Sequence, residues 1–151
     1  MGIRWLFAAL HLLGLGIGLG SVWARGRALS GTLDPPGLQR VFYADNWWAV
    51  AAVLWVVTGA LRAFAGFEKG TSYYLHNHFF LGKMALLVLI LALEVRPMTT
   101  LIRWRRVSAR GERPDTTNAR ALARVSFLQA WLVVGMVLAA TAMARGYGAE
   151  P

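Results

Sequence analysis

The chain has 151 residues, of which 57% are hydrophobic and 15% are charged, and its net charge is +9. Soluble domains average about 45–50% apolar and about 25% charged residues, so this composition excludes an ordinary soluble domain. The chain contains no cysteine, which excludes disulfides, thiolate metal sites and iron–sulfur clusters. Its length predicts about one domain.

Four apolar runs carry the hydrophobic excess, at residues 5–23, 47–65, 79–95 and 125–144. Each is close to the roughly 17–25 residues that a helix needs to cross a bilayer. We therefore predict an all-α fold, an integral membrane four-helix bundle that forms one domain over residues 1–151. The predicted helices cover about 3–24, 46–66, 74–97 and 123–145.

The basic residues lie mainly between the apolar runs. Eleven of the 16 lysines and arginines belong to the connections between runs 1 and 2 and between runs 3 and 4, and five belong to the other side. The positive-inside rule then places the Arg-rich connections in the cytoplasm and both termini outside, in the periplasm, for a multi-pass protein of the bacterial inner membrane. We expect the Arg-rich connection to meet anionic lipid headgroups rather than nucleic acid.

The first run has features of a signal peptide, because Arg4 precedes it and the small-residue site Val22-Trp23-Ala24 ends it. It is longer than the roughly 7–15 apolar residues of a signal sequence. It also carries an ionisable residue, His11, at membrane depth. We expect it to remain in the mature protein as the first helix.

His11 is the most informative residue of this helix, since an ionisable side chain at bilayer depth usually faces a partner, a cavity or a cofactor. Gly14, Gly16, Gly18 and Gly20 follow it in alternation. At helical spacing they form two small-xxx-small pairs, which favour close approach of another helix. The pattern indicates either close helix packing around a hydrogen-bonded histidine or space for a flat cofactor.

The connection at residues 28–40 contains turn-forming residues and predicts a break between the first two helices. Asp45 and Asn46 are candidates for capping the second helix, and the alternative for Asp45 is a functional carboxylate. Trp47 and Trp48 are typical of the headgroup level of a membrane.

Three cationic or titratable side chains are expected near His11 at the outer side of the bundle: Arg62, Lys83 and His76. An imidazole at membrane depth with cations above it suits haem b, because a ring nitrogen ligates iron and the cations pair with the propionates. The same arrangement suits another anionic apolar molecule. Lys83 also has a simpler interpretation, in which its long stem reaches the interface. Glu94 lies on the same predicted stripe of the third helix as His76 and Lys83.

The order of residues along the chain resembles a known family. The residues that carry the resemblance are Asp45, Gly59, Arg62, Lys69-Gly70, Tyr74, Asn77, Phe79, Lys83 and Arg103-Trp104-Arg105. The chain resembles the bacterial predicted-membrane-protein family known as domain of unknown function 2214 over nearly its whole length. More distantly, His11 and Lys83 resemble positions of the HemJ-type protoporphyrinogen oxidases and CopD-like membrane proteins, some of which bind haem b. That second resemblance implies His11 as the haem-iron ligand.

Three functions follow from the sequence. The first is a redox protein that binds haem b or a porphyrin, with His11 as ligand and Arg62, Lys83 and His76 as further cofactor-binding residues. The second is a structural or accessory subunit of a larger membrane complex, or a homo-oligomer, whose glycine-lined first helix packs on a partner. The third is a small transporter that uses His11, Lys83 and Glu94.

Overall fold

The structure is a computed structural model that describes residues 2–64 and 78–147. Within these ranges the chain forms four α-helices: α1 (Gly2–Leu29), α2 (Pro35–Phe64), α3 (His78–Ala109) and α4 (Ala119–Ala144). Each is long and apolar enough to cross a membrane. The predicted all-α, four-helix membrane architecture is confirmed.

All four helices extend beyond their apolar runs at the same end of the bundle, which carries the α1–α2 and α3–α4 connections and is called the Arg-rich end below. Here α1 ends at Leu29 rather than near 24, and α2 begins at Pro35 rather than near 46. The third helix continues to Ala109 rather than ending near 97, and α4 begins at Ala119 rather than near 123. The prediction was too short because these turns are amphipathic, and a run of apolar residues does not detect them.

The α1–α2 connection is much shorter than the predicted break at residues 28–40. The Asp34 carboxylate accepts a hydrogen bond from the Gly37 backbone N–H at 2.8 Å, so Asp34 caps α2 and Pro35 occupies the first helical position. A Cβ on Gly37 would lie 2.0 Å from the Thr32 carbonyl oxygen, which explains the glycine. The predicted capping by Asp45 and Asn46 is wrong, since both lie well inside α2.

Pro97 lies within α3, where the sequence predicted the helix to end. It is buried, and the helix continues beyond it to Leu101 and Trp104, which are 0% and 3% exposed. The burial of these apolar side chains offsets the backbone hydrogen bond that proline cannot make.

Within residues 2–64 and 78–147, the bundle core consists of two apolar clusters. In the described residues, α1 packs extensively on α2 and on α4, and α3 packs on α4. The cluster at the Arg-rich end contains Leu29, Leu38, Val41, Leu101, Trp104, Ala119, Leu122 and Ala123. The central cluster contains Val22, Trp48, Trp55, Ile90, Ala130, Val133 and Met136. Trp48 is therefore a core residue, contrary to its expected place among the headgroups, whereas Trp47 is 43% exposed.

The α1 glycines divide between two faces. A Cβ on Gly14 would lie 3.3 Å from the Trp55 backbone nitrogen, and one on Gly18 would lie 3.5 Å from the Trp48 ring. Gly16 and Gly20 are exposed, and a Cβ on either would meet no atom within 4 Å. The first pair lets α1 pack on α2, and the second pair points away from the bundle.

This division predicts different effects of one substitution at neighbouring glycines. Gly14→Leu should lower the free energy of unfolding by about 1–3 kcal/mol, because the side chain would be forced against the α2 backbone. Gly16→Leu should not lower the stability of the isolated chain, because a Cβ there meets no described atom and glycine is the poorer helix former. Denaturant unfolding in detergent micelles measures both. Equal losses for the two variants would contradict the assignment of the faces.

Candidate functional site

A layer of charged and polar side chains separates the two apolar clusters, and every helix contributes to it. Its members are Arg25 on α1, Asp45 on α2, Glu94 on α3, and Ser126 and Gln129 on α4. We call this set the polar layer. In each helix it lies between residues of the Arg-rich-end cluster and residues of the central cluster. The polar layer is therefore a cross-section of the bundle and not a surface feature.

Arg25 is the centre of the polar layer, and its side chain is fully buried. Its Nη1 donates to Asp45 at 2.8 Å and to Glu94 at 2.7 Å. Its Nη2 donates to Glu94 and to Gln129, each at 2.8 Å, and its Nε donates to the Ser126 hydroxyl at 3.0 Å. A guanidinium has five N–H donors, and these five contacts use all of them.

The acceptors of Arg25 are themselves held in place. Gln129 donates from Nε2 to Glu94 at 2.8 Å and to the Ile90 carbonyl oxygen at 3.1 Å. The second oxygen of Asp45 accepts from Arg105 at 3.0 Å, and Arg105 also donates to the Phe42 carbonyl oxygen. With Arg105 included, two arginines face two carboxylates, so the layer has no net charge.

Helix direction explains why Arg25 points into the bundle although it lies only four residues before the end of α1. A Cα–Cβ bond tilts toward the N-terminus of its own helix. In α1 that direction leads away from the Arg-rich end and toward the bundle centre. The Trp48 ring, 5.9 Å from the guanidinium carbon, covers the arginine on the side of the central cluster.

Sequence reasoning did not identify the polar layer. It assigned Arg25 to the topology signal, Asp45 to a helix cap and Glu94 to a stripe shared with Lys83. One signal was present: a charged or amide side chain recurs in each helix at the flank of its apolar run nearer the Arg-rich end. Such groups at membrane depth generally pair with one another.

His11 lies about 21 Å from Arg25 along α1, at ~1.5 Å per residue. Its Nε2 is 3.1 Å from the Trp55 indole nitrogen, which donates to it. Its Nδ1 is 3.1 Å from the Trp55 carbonyl oxygen and 3.0 Å from the Thr58 hydroxyl. Because Nε2 accepts a hydrogen bond, the proton of the neutral ring belongs on Nδ1, which then donates to α2. His11 thus joins α1 to α2.

Gly59 makes this contact possible. A Cβ at Gly59 would lie 3.1 Å from His11 Cε1, closer than nearly all real contacts of this kind. The imidazole therefore lies directly against the α2 backbone. Further along the same face, the Trp48 and Trp55 side chains line the space beside Gly14 and Gly18, and the gap that remains has no room for a water molecule. The described geometry is close helix packing around a hydrogen-bonded histidine, which is one of the two arrangements predicted for this helix.

Of the four predicted cofactor-binding residues, only His11 and Lys83 have side chains that the structure describes. His76 lies outside the described residues, and Arg62 lies in the last turn of α2 with its side chain outside the described part. Lys83 is partly buried near the start of α3 and has interaction partners. In this geometry, iron ligation by Nε2 of His11 would require the Trp55 indole to move away.

We expect the polar layer to be the most sensitive part of the bundle. Arg25→Met should lower the free energy of unfolding by about 3–5 kcal/mol, because it leaves two carboxylates and an amide without their shared donor. Thermal or denaturant unfolding in detergent measures the change. Arg103→Met, which removes an exposed arginine of α3, is the matched control and should have little effect. Equal stability of the two variants would show that Arg25 does not hold the layer together.

Comparison with known proteins places the chain in a family but adds no activity. No curated protein and no solved structure shows significant similarity to it. A family model described as predicted membrane protein (DUF2214) matches residues 3–148. That match covers nearly the whole chain, so the protein belongs to the DUF2214 family of membrane proteins.

Proposed function

We propose that this protein is a structural or accessory subunit of a larger membrane complex, and that it contacts its partner through the outward face of α1. The division of the α1 glycines between an inner and an outer face carries this proposal. One pair packs on α2, and the other pair packs on nothing within the described chain. The proposed location is the bacterial inner membrane, with the Arg-rich end in the cytoplasm, as the charge distribution favours.

The interior supports this proposal because its polar groups hold the bundle itself together. The five donors of Arg25 are used by Asp45, Glu94, Ser126 and Gln129. Both ring nitrogens of His11 have partners on α2. These polar groups therefore bind one another within the bundle. The surface that we propose for a partner is the outer, membrane-facing side of α1.

The outer face of α1 has the features of a helix-association surface. Leu12, Gly16 and Gly20 recur at intervals of four residues, so they share one side of the helix. Leu12 is 63% exposed, and both glycines are open. Glycine within a helix costs about 0.5–1 kcal/mol relative to alanine, and nothing in the described chain compensates for this at Gly16. Close approach of a second transmembrane helix would do so, because small residues at this spacing allow backbones to pack.

The proposal predicts that the protein leaves native membranes in a complex larger than a single chain. After extraction in a mild detergent, Gly16→Leu should shift the protein to a smaller size, while its stability to unfolding in detergent is no lower than that of the wild type. The matched control is Gly82→Leu on α3, where the glycine is also exposed and open. Size-exclusion chromatography or native mass spectrometry measures the difference. A wild-type protein that elutes as a single chain, or equal effects of the two variants, would contradict the proposal.

Haem binding stays a prediction, carried by His11 and by the distant HemJ-type resemblance. If His11 ligates haem b, protein purified from haem-sufficient cells will show a Soret absorption band, and His11→Ala will abolish it. Trp55→Phe, which removes the indole donor from Nε2, should then leave the band in place. A colourless, porphyrin-free preparation would contradict haem binding.

A further inference from the structure

A groove of about 1100 Å³ runs between α1 and α2 on the outside of the bundle at the Arg-rich end. Its wall on α1 extends from Ile17 to Ala28, and its wall on α2 extends from Pro36 to Trp47. The two walls run antiparallel, so chemically similar residues can lie opposite one another at the same depth.

The chemistry of the groove changes in the same direction along both walls. Nearest the α1–α2 connection lie Arg27 and Arg40, both exposed. Next come Trp23 and Tyr43, which are 46% and 67% exposed. The deepest part is lined by Ile17 and Gly20 on α1 and by Trp47 on α2. Charged, then aromatic, then apolar is the order that a membrane presents from its headgroups to its hydrocarbon.

The dimensions suit one membrane leaflet. The α1 wall rises about 16 Å over the eleven steps from Ile17 to Ala28, at ~1.5 Å per residue. The hydrocarbon core of a bilayer is about 30 Å thick, so one leaflet accounts for about half of that. Because this length includes the level of Arg27 and Arg40, the groove can hold one headgroup and the upper part of one lipid tail.

The charge of the groove selects the headgroup. Among the residues that the structure describes, its lining includes two arginines and no carboxylate. Guanidinium groups form short, paired hydrogen bonds with phosphate oxygens. Asp45 lies close by in sequence, but its carboxylate is directed into the polar layer, where it pairs with Arg25 and Arg105.

We propose that this groove is a binding site for one anionic phospholipid. Its phosphate lies between Arg27 and Arg40, its glycerol region lies against Trp23 and Tyr43, and an acyl chain lies along the open side of Gly20. Gly20 also belongs to the α1 face that we propose as a partner surface. Gly16 does not line the groove, so Gly16→Leu tests the partner surface separately from lipid binding.

The test uses purified protein in detergent, titrated with phosphatidylglycerol and, separately, with phosphatidylcholine, with native mass spectrometry as the readout. One phosphatidylglycerol per chain should be retained in preference to phosphatidylcholine. The double variant Arg27→Gln/Arg40→Gln should bind phosphatidylglycerol about thirtyfold more weakly, from about fivefold per arginine. Because both side chains are exposed, its unfolding should match that of the wild type.

The matched control is Arg103→Gln/Arg106→Gln, which removes two exposed arginines of α3 at the same end of the bundle. It should retain wild-type lipid binding. Gly20→Leu adds a test of the tail, because it should weaken binding of long-chain but not of dihexanoyl phosphatidylglycerol.

Three results would overturn the proposal. Equal retention of the two lipids would show that the groove does not select the anionic phosphate. Equal loss in the two double variants would show that only the overall charge of this end attracts lipid. Release of a co-purifying protein by Arg27→Gln/Arg40→Gln, with unchanged lipid binding, would make the groove a protein interface.

Discussion

The bundle depends on Arg25, whose guanidinium is fully buried and therefore needs an acceptor for each of its N–H donors. Desolvation of a guanidinium costs several kcal/mol, and only a complete set of acceptors repays it. Arg25 meets this requirement with groups from α2, α3 and α4. Because each acceptor has to lie within hydrogen-bond reach, the contacts restrict both the depth and the rotation of all four helices. Apolar packing alone restricts them less, since apolar contacts have little directionality.

The two apolar clusters are arranged around this constraint. Arg105 extends the polar layer toward the Arg-rich end and stacks on the Phe42 ring at 4.6 Å. Toward the other end, the Trp48 ring packs against Gly18 of α1, and the Trp55 backbone packs against Gly14. His11 then joins the same two helices a second time. The bundle is therefore held together by polar contacts at two depths, at Arg25 and at His11.

Much of the fold could be predicted from the sequence, but the site could not. The apolar runs predicted four spanning helices, and the order of residues indicated the family. The helix ends were missed because the amphipathic turns around Pro36 and Trp104 do not form apolar runs. Arg25 was assigned to the charged flank of α1, since its distance from the helix end does not show which way the side chain points. Asp45 was interpreted as a cap because the α2 start at Pro35 was hidden in a Pro- and Gly-rich stretch.

By itself, the sequence determined the class of protein: the apolar runs are long enough to cross a bilayer, and the arginines gather at one end. It also placed glycines at a spacing that favours helix contact. Only the tertiary structure decided which glycines face inward, whether His11 meets a neighbouring helix, and that Arg25, Asp45, Glu94 and Gln129 share one layer. The physical reason is that helical periodicity defines the faces of a single helix, whereas the pairing of faces depends on satisfying buried polar groups across several helices at once.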